Sequence, residues 1–369
     1  MLSSNRVNYW TGEECRQFER EFADWVGTQH AIALANGTLA LEIALRALEI
    51  SVGDEVIVTP RSYFGSASCI VTVGARPVFA DIDANSQNIT AETVREVLTP
   101  RTRAIICVHL AGMPCDMDPI IELAEQHDLQ VIEDCAQAHG AEYRDRMVGS
   151  IGHVAAWSFC QDKIMTTGGE GGMVTTDNRD LWSRIWSYKD HGKSWDTVYN
   201  REHGPGFRWL HDSFGTNARM LELQAAIGRI QLRRMPEWRA RRIANAARLE
   251  RACRGHDVVR VPKVPDDCVH AYYRFYAFVR PERLAAGWSR DRIVEEIVAR
   301  DVPCYHGSCP EIYREKAFEE SGHHQSKRLP VATELGRNSM MLLVHPTLTE
   351  AEIDRTCEAL DDVLSFAEG

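Results

Sequence analysis

Short apolar segments alternate with amphipathic stretches along the first half of the chain. The apolar segments hold five to seven residues and are rich in Val, Ile and Ala, which is typical of buried strands. The stretches between them, such as Leu39–Glu49 and Asp118–His127, have apolar residues at helical spacing. This alternation predicts an α/β domain with a mostly parallel seven-stranded sheet between two layers of helices. The predicted strands are Ala31–Ala35, Glu55–Thr59, Pro77–Ile82, Ala104–Leu110, Gln130–Cys135, Val154–Cys160 and Gly172–Thr176.

The pattern changes after residue 177. Residues 193–213 show no periodicity, and a helical pattern of about 30 residues then begins at Met220. A strand signal at Ala271–Val279 and helical patterns at Arg290–Ala299 and Glu350–Phe366 follow. We therefore expect a smaller C-terminal α+β domain. The large domain is predicted to span residues 1–245 and the small domain residues 246–369.

The composition is typical of a globular protein that binds neither nucleic acid nor a membrane. The chain has 369 residues and a net charge of −11 at pH 7, which repels phosphate backbones. The Arg-rich segment Arg233–Arg248 is an exception, and on a helix it is more typical of a solvated face or an interface. No apolar run approaches the ~20 residues of a membrane span. Met1–Trp10 lacks the pattern of a secretion signal, so we expect a cytoplasmic protein.

The 11 cysteines are scattered, as is typical of a reducing compartment. Cys304 and Cys309 are the closest pair, and Tyr305 and His306 lie between them. Because this pair lacks the spacing of common zinc motifs, no metal site is predicted.

Polar residues and glycines follow several of the predicted strands. Asn36-Gly37-Thr38 lies between a strand and a helix, where Asn36 is a good N-cap and the free N–H groups could bind an anion. An ordinary strand-to-helix turn has the same sequence pattern. Asp134, with Gln137 after it, follows another strand and could pair with a protonated ring nitrogen, or could be a solvated loop acid.

Lys163 is the strongest candidate for chemistry. It lies in the segment Ser158–Gly172, whose sequence is SFCQDKIMTTGGEGG, between an apolar strand and a Gly-rich loop. A lysine in a crowded site can form a Schiff base with a carbonyl, and the glycines permit close approach of a ligand. The chain has neither G-x-x-x-x-G-K-[ST] nor G-x-G-x-x-G, which excludes the common nucleotide-binding motifs.

These segments occur together in the order found in one enzyme family. The chain resembles the DegT/DnrJ/EryC1/StrS aminotransferases, sugar aminotransferases of pyridoxal 5′-phosphate (PLP) fold type I, from about Glu13 to Leu364. The matching segments are ANGTLALEIAL, GDEVIVTPRSYFGSAS, GARPVFADID, IEDCAQAHGA, WSFCQDKIMTTGGEGGMVTTD, YKDHG, TNARMLELQAAIG and LLVHPTLTEAEI.

The resemblance implies a role for each matching residue. Lys163 would be the Schiff-base lysine and the general base of the reaction, and Asp134 would pair with the pyridine nitrogen. Tyr63 would stack on the ring, and Asn217 would reach the phosphate of a neighbouring subunit, which implies a homodimer with shared sites. The other cofactor contacts would be Gly37, Thr38 and Ser158 to the phosphate and Gln137 near O3′.

Substrate contacts are expected from a second group of residues. Lys189 and Arg219 are candidates for a diphosphate contact, because an acidic protein needs local cations to hold one. The remaining candidates for contact with the sugar or nucleotide are His191, Tyr305, His306 and His345.

The sequence departs from the family pattern at a few positions. Asp162 stands before Lys163, where the family commonly has Thr, and Ala218 replaces an aromatic residue. Some relatives have His in place of the lysine and are sugar dehydratases, and the presence of Lys163 argues against that branch.

We therefore expect a PLP-dependent aminotransferase with ping-pong kinetics. Its donor would be an amino acid, with L-glutamate expected, and its acceptor a nucleotide-linked keto-sugar for an amino sugar of a surface polysaccharide such as a lipopolysaccharide O-antigen. The alternatives are an aminotransferase of a keto-cyclitol in aminoglycoside assembly, a PLP-binding regulator without turnover, and a dehydratase.

Overall fold

The fold is built around a seven-stranded sheet in the computed structural model, which describes residues 2–323 and 325–368. Along the sheet the strand order is β1-β9-β8-β5-β4-β2-β3. Two further short strands, β6 and β7, pair with each other in a separate small sheet, in which β6 also pairs with β11 (Cys268–Val269). The strands of this half of the chain are β1 (His30–Leu34), β2 (Glu55–Val58), β3 (Arg76–Phe79), β4 (Thr102–Val108), β5 (Gln130–Asp134), β6 (Glu142–Tyr143), β7 (Arg146–Met147), β8 (Val154–Ser158) and β9 (Gly172–Thr176).

Six of the seven strands run in the same direction. β2 pairs in parallel with β3 and β4, β4 with β5, and β5 with β8, whereas β9 is antiparallel to both β8 and β1. The carboxyl ends of the parallel strands therefore meet at one edge of the sheet, which is where open α/β sheets bind ligands. The predicted mostly parallel sheet is confirmed, and each predicted strand overlaps an observed one.

Helices cover the sheet because their apolar faces are buried against it. In α2, for example, Leu41, Ile43 and Leu45 are at most 4 % exposed, and the Asn36 side chain caps the helix by accepting a hydrogen bond from Leu39 N. The helices of this part are α1 (Glu14–Val26), α2 (Gly37–Ala47), α3 (Gly65–Thr72), α4 (Ala91–Arg95), α5 (Met117–Gln126), α6 (Arg179–Tyr188), α7 (Trp195–Tyr199), α8 (Glu222–Leu232) and α9 (Met235–Arg254).

A second, four-stranded sheet follows α9. Its order is β10-β12-β14-β13, and it shares an apolar core with α9, α10 and α13. The predicted domain boundary between residues 245 and 246 falls inside α9, so the domain division stays a prediction. The elements are β10 (Val259–Arg260), β11 (Cys268–Val269), β12 (Phe275–Val279), α10 (Arg290–Val298), β13 (Cys304–Tyr305), α11 (Lys316–Glu320), α12 (Pro330–Asn338), β14 (Ser339–Leu342) and α13 (Glu350–Ala367).

Two predicted elements differ from the structure. The helical pattern from Met220 is two helices, α8 and α9, separated by Arg233 and Arg234. The predicted strand Ala271–Val279 begins only at Phe275. Tyr272 has a φ of +50°, outside the extended region of regular strands, and the preceding backbone hydrogen-bonds to the β4–α5 connection instead.

Among the described residues, no helix combines the length and the apolar character that crossing a membrane requires.

Candidate active site

A cavity of about 670 Å³ opens at the carboxyl edge of the large sheet. Seven of the eight residues predicted to hold the cofactor line it, although they are spread over more than 120 positions of the chain. The seven are Gly37, Thr38, Tyr63, Asp134, Gln137, Ser158 and Lys163. The eighth, Asn217, is exposed and does not line the cavity of this single chain. The remaining wall is formed by Asn36, Leu39, Leu41, Ser62, Gly65, Ser66, Val108, Ala136, Ala156, Trp157, Cys160, Asp162 and Glu170.

One end of the cavity is the first turn of α2, packed against the end of β8. A Cβ built on Gly37 would lie 2.6 Å from Ser158 Cβ, so only glycine allows this approach. Asn36 accepts the hydrogen bond of Leu39 N, and Ala40 N donates to Asn36 O. In the described part of the chain the Gly37 and Thr38 N–H groups have no such acceptor, and a helix start of this kind binds anions.

Asp134 ends β5 on the floor of the cavity and is only 4 % exposed. Its Oδ2 accepts a hydrogen bond of 2.7 Å from Ser66 Oγ, and its Oδ1 accepts one of 3.1 Å from Ala136 N. Burial raises the pKa of Asp134 above its ordinary value, although both hydrogen bonds and the charge of Lys163 oppose the rise. A cationic group beside this carboxylate would therefore stabilise its charged form.

Gln137 and Tyr63 add an amide and an aromatic ring to the wall. Gln137 Oε1 accepts a hydrogen bond of 2.8 Å from Ala111 N, which fixes the carboxamide and leaves its NH₂ group for a ligand. Tyr63 is 68 % exposed at the mouth of the cavity. A Cβ on Gly65 would lie 3.0 Å from its ring, so glycine lets the ring lie close to the start of α3.

Lys163 lies in the turn after β8, where its N–H donates to Cys160 O. The lysine side chain is 15 % exposed, and its Nζ is 3.6 Å from Asp162 Oδ1 and 5.2 Å from the centroid of the Tyr273 ring. The chain thus brings a nucleophilic amine, the buried carboxylate of Asp134 and an anion-binding helix start to one cavity.

The strand end that carries Asp134 is supported by a buried hydrogen bond between a histidine and a carboxylate below the cavity. His109 Nε2 is 3.0 Å from a carboxylate oxygen of Glu133, and both side chains are fully buried. Glu133 also accepts hydrogen bonds from the backbone of Gly149, Ile151 and Gly152. Burial alone would raise the pKa of Glu133, but the His109 and backbone hydrogen bonds lower it below its usual range, so the carboxylate stays charged.

The same His109 and Glu133, with Cys135, are close enough in space to hold a metal ion. Their ligand atoms lie within 4.8 Å of one another. His109 Nδ1, however, already accepts a hydrogen bond from Cys115 N, and its Nε2 faces Glu133. Protein groups therefore occupy both imidazole nitrogens, which accounts for the cluster without a metal.

Sequence reasoning missed the contributions of Ser66 and Tyr273. Ser66 could have been noticed, because the hydroxyl-rich segment RSYFGSAS follows a strand end at the ligand-binding edge. Tyr273 gave no signal, because it contacts Asp162 from 111 positions away in a segment predicted to be a strand.

Lys189, predicted to contact a diphosphate, lies elsewhere. Its side chain is fully buried, and its Nζ is 3.7 Å from the centroid of the Tyr9 ring and 3.9 Å from an Asp190 carboxylate oxygen. Burial lowers the pKa of Lys189 to about 8, and it raises that of the neighbouring Glu19 to about 7. The expectation for Lys189 is corrected, because a side chain enclosed by Tyr9, Glu19 and Asp190 does not reach a diphosphate.

Arg219, His191 and Asn217 lie around the same Asp190. Arg219 Nη1 is 2.6 Å from the buried Asp190 Oδ1, so its charge is already paired. His191 is exposed with a φ of +62°, and its N–H donates to Thr216 O. Asn217 forms a backbone bridge with Asp190. None of the three lines the cavity formed by the described residues.

Tyr305, His306 and His345 belong to the second half of the chain and also lie off the cavity wall of the described single chain. Tyr305 is 48 % exposed, and His306 Nε2 is 3.5 Å from an Asp291 carboxylate oxygen. Burial, with the charges of two nearby arginines, lowers the pKa of His345 to about 4, so this imidazole is neutral at pH 7.

The residues present fit PLP. The Gly37–Ser158 approach leaves a cradle at the start of α2 that a Cβ would fill, which suits a phosphate. Asp134 would pair with the ring nitrogen, Gln137 would lie near O3′ and Lys163 would bond to the aldehyde carbon. An amine, a buried carboxylate and an anion site in one cavity make up the donor set that PLP requires.

Comparison with known proteins identifies the family that the sequence motifs indicated, and the match covers nearly the whole chain. The profile of the DegT/DnrJ/EryC1/StrS aminotransferase family matches residues 1–361. GDP-perosamine synthase of Caulobacter vibrioides is 39 % identical over 352 residues, which cover 94 % of this chain and 89 % of that enzyme. The dTDP-3-amino-3,6-dideoxy-alpha-D-galactopyranose transaminase of Aneurinibacillus thermoaerophilus is 32 % identical over 355 residues, which cover 96 % of this chain and 91 % of the relative.

A solved structure has nearly the same fold. The X-ray structure of an aminotransferase from Psychrobacter cryohalolentis is 58 % identical, with a TM-score of 0.97 over 99 % of this chain and 94 % of that one. The predictions of a PLP cofactor, of fold type I and of transaminase activity are confirmed. The chain belongs to the DegT/DnrJ/EryC1/StrS family of PLP-dependent aminotransferases.

Proposed function

We propose that the protein transfers an amino group from L-glutamate to the ketone of a nucleotide-linked keto-sugar by a ping-pong mechanism. The observation that carries this proposal is the placement of Lys163, Asp134 and the start of α2 around one cavity. The acceptor class is supported by the relatives, whose names specify a GDP-linked and a dTDP-linked amino sugar.

Each half of the reaction uses the same residues. PLP, when bound, supplies a pyridinium ring that accepts the electrons released when the donor Cα–H bond breaks. The carboxylate of Asp134 would keep the ring nitrogen protonated, and the Gly37 and Thr38 amides with the Ser158 hydroxyl would hold the phosphate. The Lys163 amine would act as the general base that takes the proton from the donor Cα. Tyr63 would cover the ring.

The proposal also covers the oligomeric state of the protein and the pathway in which it acts. Asn217 is exposed beside Asp190, from where it would reach the cofactor phosphate of a second copy in a homodimer. The product would be an amino sugar for a surface polysaccharide, made in the cytoplasm.

An absorbance experiment tests the first half-reaction. Cofactor-loaded wild type should change its PLP absorption band when L-glutamate is added, and Lys163→Ala should give no response. Lys316→Ala is the matched control, since that side chain is 82 % exposed, and it should behave as wild type. Wild-type protein that carries PLP but responds to neither glutamate nor glutamine would contradict an aminotransferase with either donor.

A second experiment identifies the acceptor class. Glutamate is combined with nucleotide-linked keto-sugars or with free keto-cyclitols, and the release of 2-oxoglutarate is followed. Release only with the nucleotide-linked ketones supports the proposal, and release only with the cyclitols replaces it by the aminoglycoside alternative. Loss of a sugar hydroxyl without amine incorporation indicates a dehydratase, and PLP binding without any turnover indicates a regulator.

A further inference from the structure

Asp162 is held between a tyrosine and the reactive lysine. Its Oδ2 accepts a hydrogen bond of 2.6 Å from the Tyr273 hydroxyl, and its Oδ1 lies 3.6 Å from Lys163 Nζ. The Asp162 side chain is 47 % exposed and lines the cavity. Since rotation of the carboxylate would break the Tyr273 hydrogen bond, the second oxygen stays directed at the lysine.

The backbone of Ala111 holds both Tyr273 and Gln137 of the cofactor site in place. The N–H of Tyr273 donates to Ala111 O at 2.8 Å, and the N–H of Ala111 donates to Gln137 Oε1 at 2.8 Å. The Tyr273 side chain is 8 % exposed, and its ring also contacts the lysine amine at 5.2 Å. Burial and the hydrogen bond to Asp162 raise the pKa of Tyr273 well above its ordinary value, so its hydroxyl stays a donor.

Acidic side chains outnumber basic ones in the cavity wall around Lys163. Among the described residues of the cavity wall, Lys163 is the one cation, and the acids are Asp134, Asp162 and Glu170. Partial burial alone would raise the pKa of Asp162, but the Tyr273 hydrogen bond and the charges of Lys163 and Arg274 lower it below its usual range. Asp162 is therefore ionised at neutral pH. Among the described residues, its carboxylate is the one that lies within 4.0 Å of the Lys163 amine.

We propose that Asp162, held by Tyr273, is a positioning residue whose negative charge keeps the Lys163 nitrogen at the wall of the cavity. The inference rests on the proposed function, because it concerns the lysine that moves the proton. Asp162 acts through Lys163, and Tyr273 acts through Asp162.

The test is a pH titration of the absorption band of cofactor-loaded protein, compared between wild type, Asp162→Asn and Tyr273→Phe. A carboxylate beside the lysine nitrogen favours its protonated form, so Asp162→Asn should move the titration midpoint to lower pH by roughly one pH unit. Tyr273→Phe keeps the ring but releases the carboxylate, so it should give a smaller shift in the same direction. The double variant should shift no further than Asp162→Asn, because Tyr273 acts through Asp162.

Glu170→Gln is the matched control, since it removes the same charge from the same cavity without contacting Lys163. The acid limb of the pH profile of the glutamate half-reaction should move with the absorption midpoint. An Asp162→Asn midpoint equal to that of wild type, or a shift that Glu170→Gln reproduces in full, would overturn the positioning role and leave the proposed function intact. Wild-type protein with no PLP absorption band would overturn both.

Discussion

Individual side chains in this protein owe their chemistry to burial. Asp134 and His139 belong to one short segment, and both are removed from water. The effect on their protonation is opposite: burial raises the pKa of the Asp134 carboxyl and lowers that of the His139 imidazole to about 3. The carboxylate needs a cationic partner to remain charged, whereas the histidine is uncharged and packs against Trp157 and Phe159.

Replacing Asp134 by asparagine should separate cofactor chemistry from cofactor binding. Asn keeps the size of the side chain but cannot hold the ring nitrogen protonated, so we expect the rate of the glutamate half-reaction to fall by about a hundredfold or more. Stopped-flow absorbance measures this rate on PLP-loaded protein. Ser66→Ala is the control, because it removes one hydrogen bond to Asp134 and keeps the carboxylate. It should lower the rate less than Asp134→Asn does, by at most the roughly 1.5–3 kcal/mol of a hydrogen bond to a charged group. Equal rates for Asp134→Asn and wild type would contradict the assigned role.

His139 should make stability depend on pH on the acid side of neutrality. Its folded-state pKa of about 3 is below the unfolded value of about 6.5, so its contribution is complete above pH 6.5 and is lost as the pH falls toward 3. We expect His139→Phe to flatten the dependence of the unfolding free energy on pH between 4 and 6 by up to about 1.4 kcal/mol per pH unit. Urea unfolding at several pH values measures the pH dependence of the unfolding free energy. His127→Asn, at an exposed position, should leave the slope unchanged.

At the scale of elements, the junction between α2 and β8 determines how the phosphate is held. Gly37 begins the helix and Ser158 ends the strand, and the two approach so closely that no side chain fits between them. Asn36 caps the helix, and a Cβ on Gly172 at the start of β9 would lie 2.3 Å from Asn36 O. Three neighbouring elements therefore have to pack correctly for one anion site to form.

Gly37→Ala should weaken PLP binding more than it weakens the fold. The new methyl group would displace the start of α2 from Ser158, and we expect the PLP dissociation constant to rise by about tenfold or more, equivalent to 1.4 kcal/mol. Equilibrium dialysis or absorbance titration of cofactor-free protein measures it. Gly204→Ala is the matched control, because a Cβ there meets nothing within 4 Å. An unchanged dissociation constant for Gly37→Ala would show that the phosphate lies elsewhere.

At the scale of the whole molecule, one chain does not bring every predicted residue to the cavity. Asn217 is exposed, and among the described lining residues Lys163 is the one cation available for anionic substrates. Large exposed side chains, including Trp209 and Phe214, follow in the connection between α7 and α8. A second copy that supplies Asn217 to this cavity would account for the placement of that residue.

Mixed dimers test shared sites directly. Lys163→Ala and Asn217→Asp homodimers should each have little activity, because one lacks the lysine and the other places a negative charge near the phosphate. After the two are co-expressed, half of the dimers would be mixed, each with one intact site, so about a quarter of wild-type activity should return. Co-expression of Lys163→Ala with Asp134→Asn is the control and should restore none. Both residues line the cavity of one chain, so each site of a mixed dimer would still lack one of them. Failure of the first pair to recover activity would contradict a shared site.

The fold was largely predictable because its signals are local. Each buried strand is a short apolar segment, and each large amphipathic helix has its own periodicity, so β4 and α5 were recognised without knowledge of their neighbours. One error occurred where backbone conformation depends on distant contacts, because Tyr272 interrupts a strand-like segment. The other missed a local signal, because Pro236 lies in the first turn of α9, just after the break between α8 and α9.

The candidate site was predictable to the extent that its residues lie in recognisable segments. Lys163, Asp134 and Gly37 follow strand ends, and parallel strands bring their carboxyl ends to one edge of the sheet. The burial of Lys189 was not predicted, because a sequence shows that a charge is present but not whether a second helix covers it. Its burial depends on Tyr9 and Glu19, which precede it by about 170 residues or more.

The sequence by itself determined the parallel sheet, the family, the cofactor and the residues at the strand ends, because apolar periodicity and contiguous motifs are properties of neighbours along the chain. Only the tertiary structure decided which charges are buried, which hydroxyl holds Asp134, and that Tyr273 reaches Asp162 beside the lysine. Those contacts join residues far apart in the chain, and their energies depend on distance and burial, which a linear pattern does not contain.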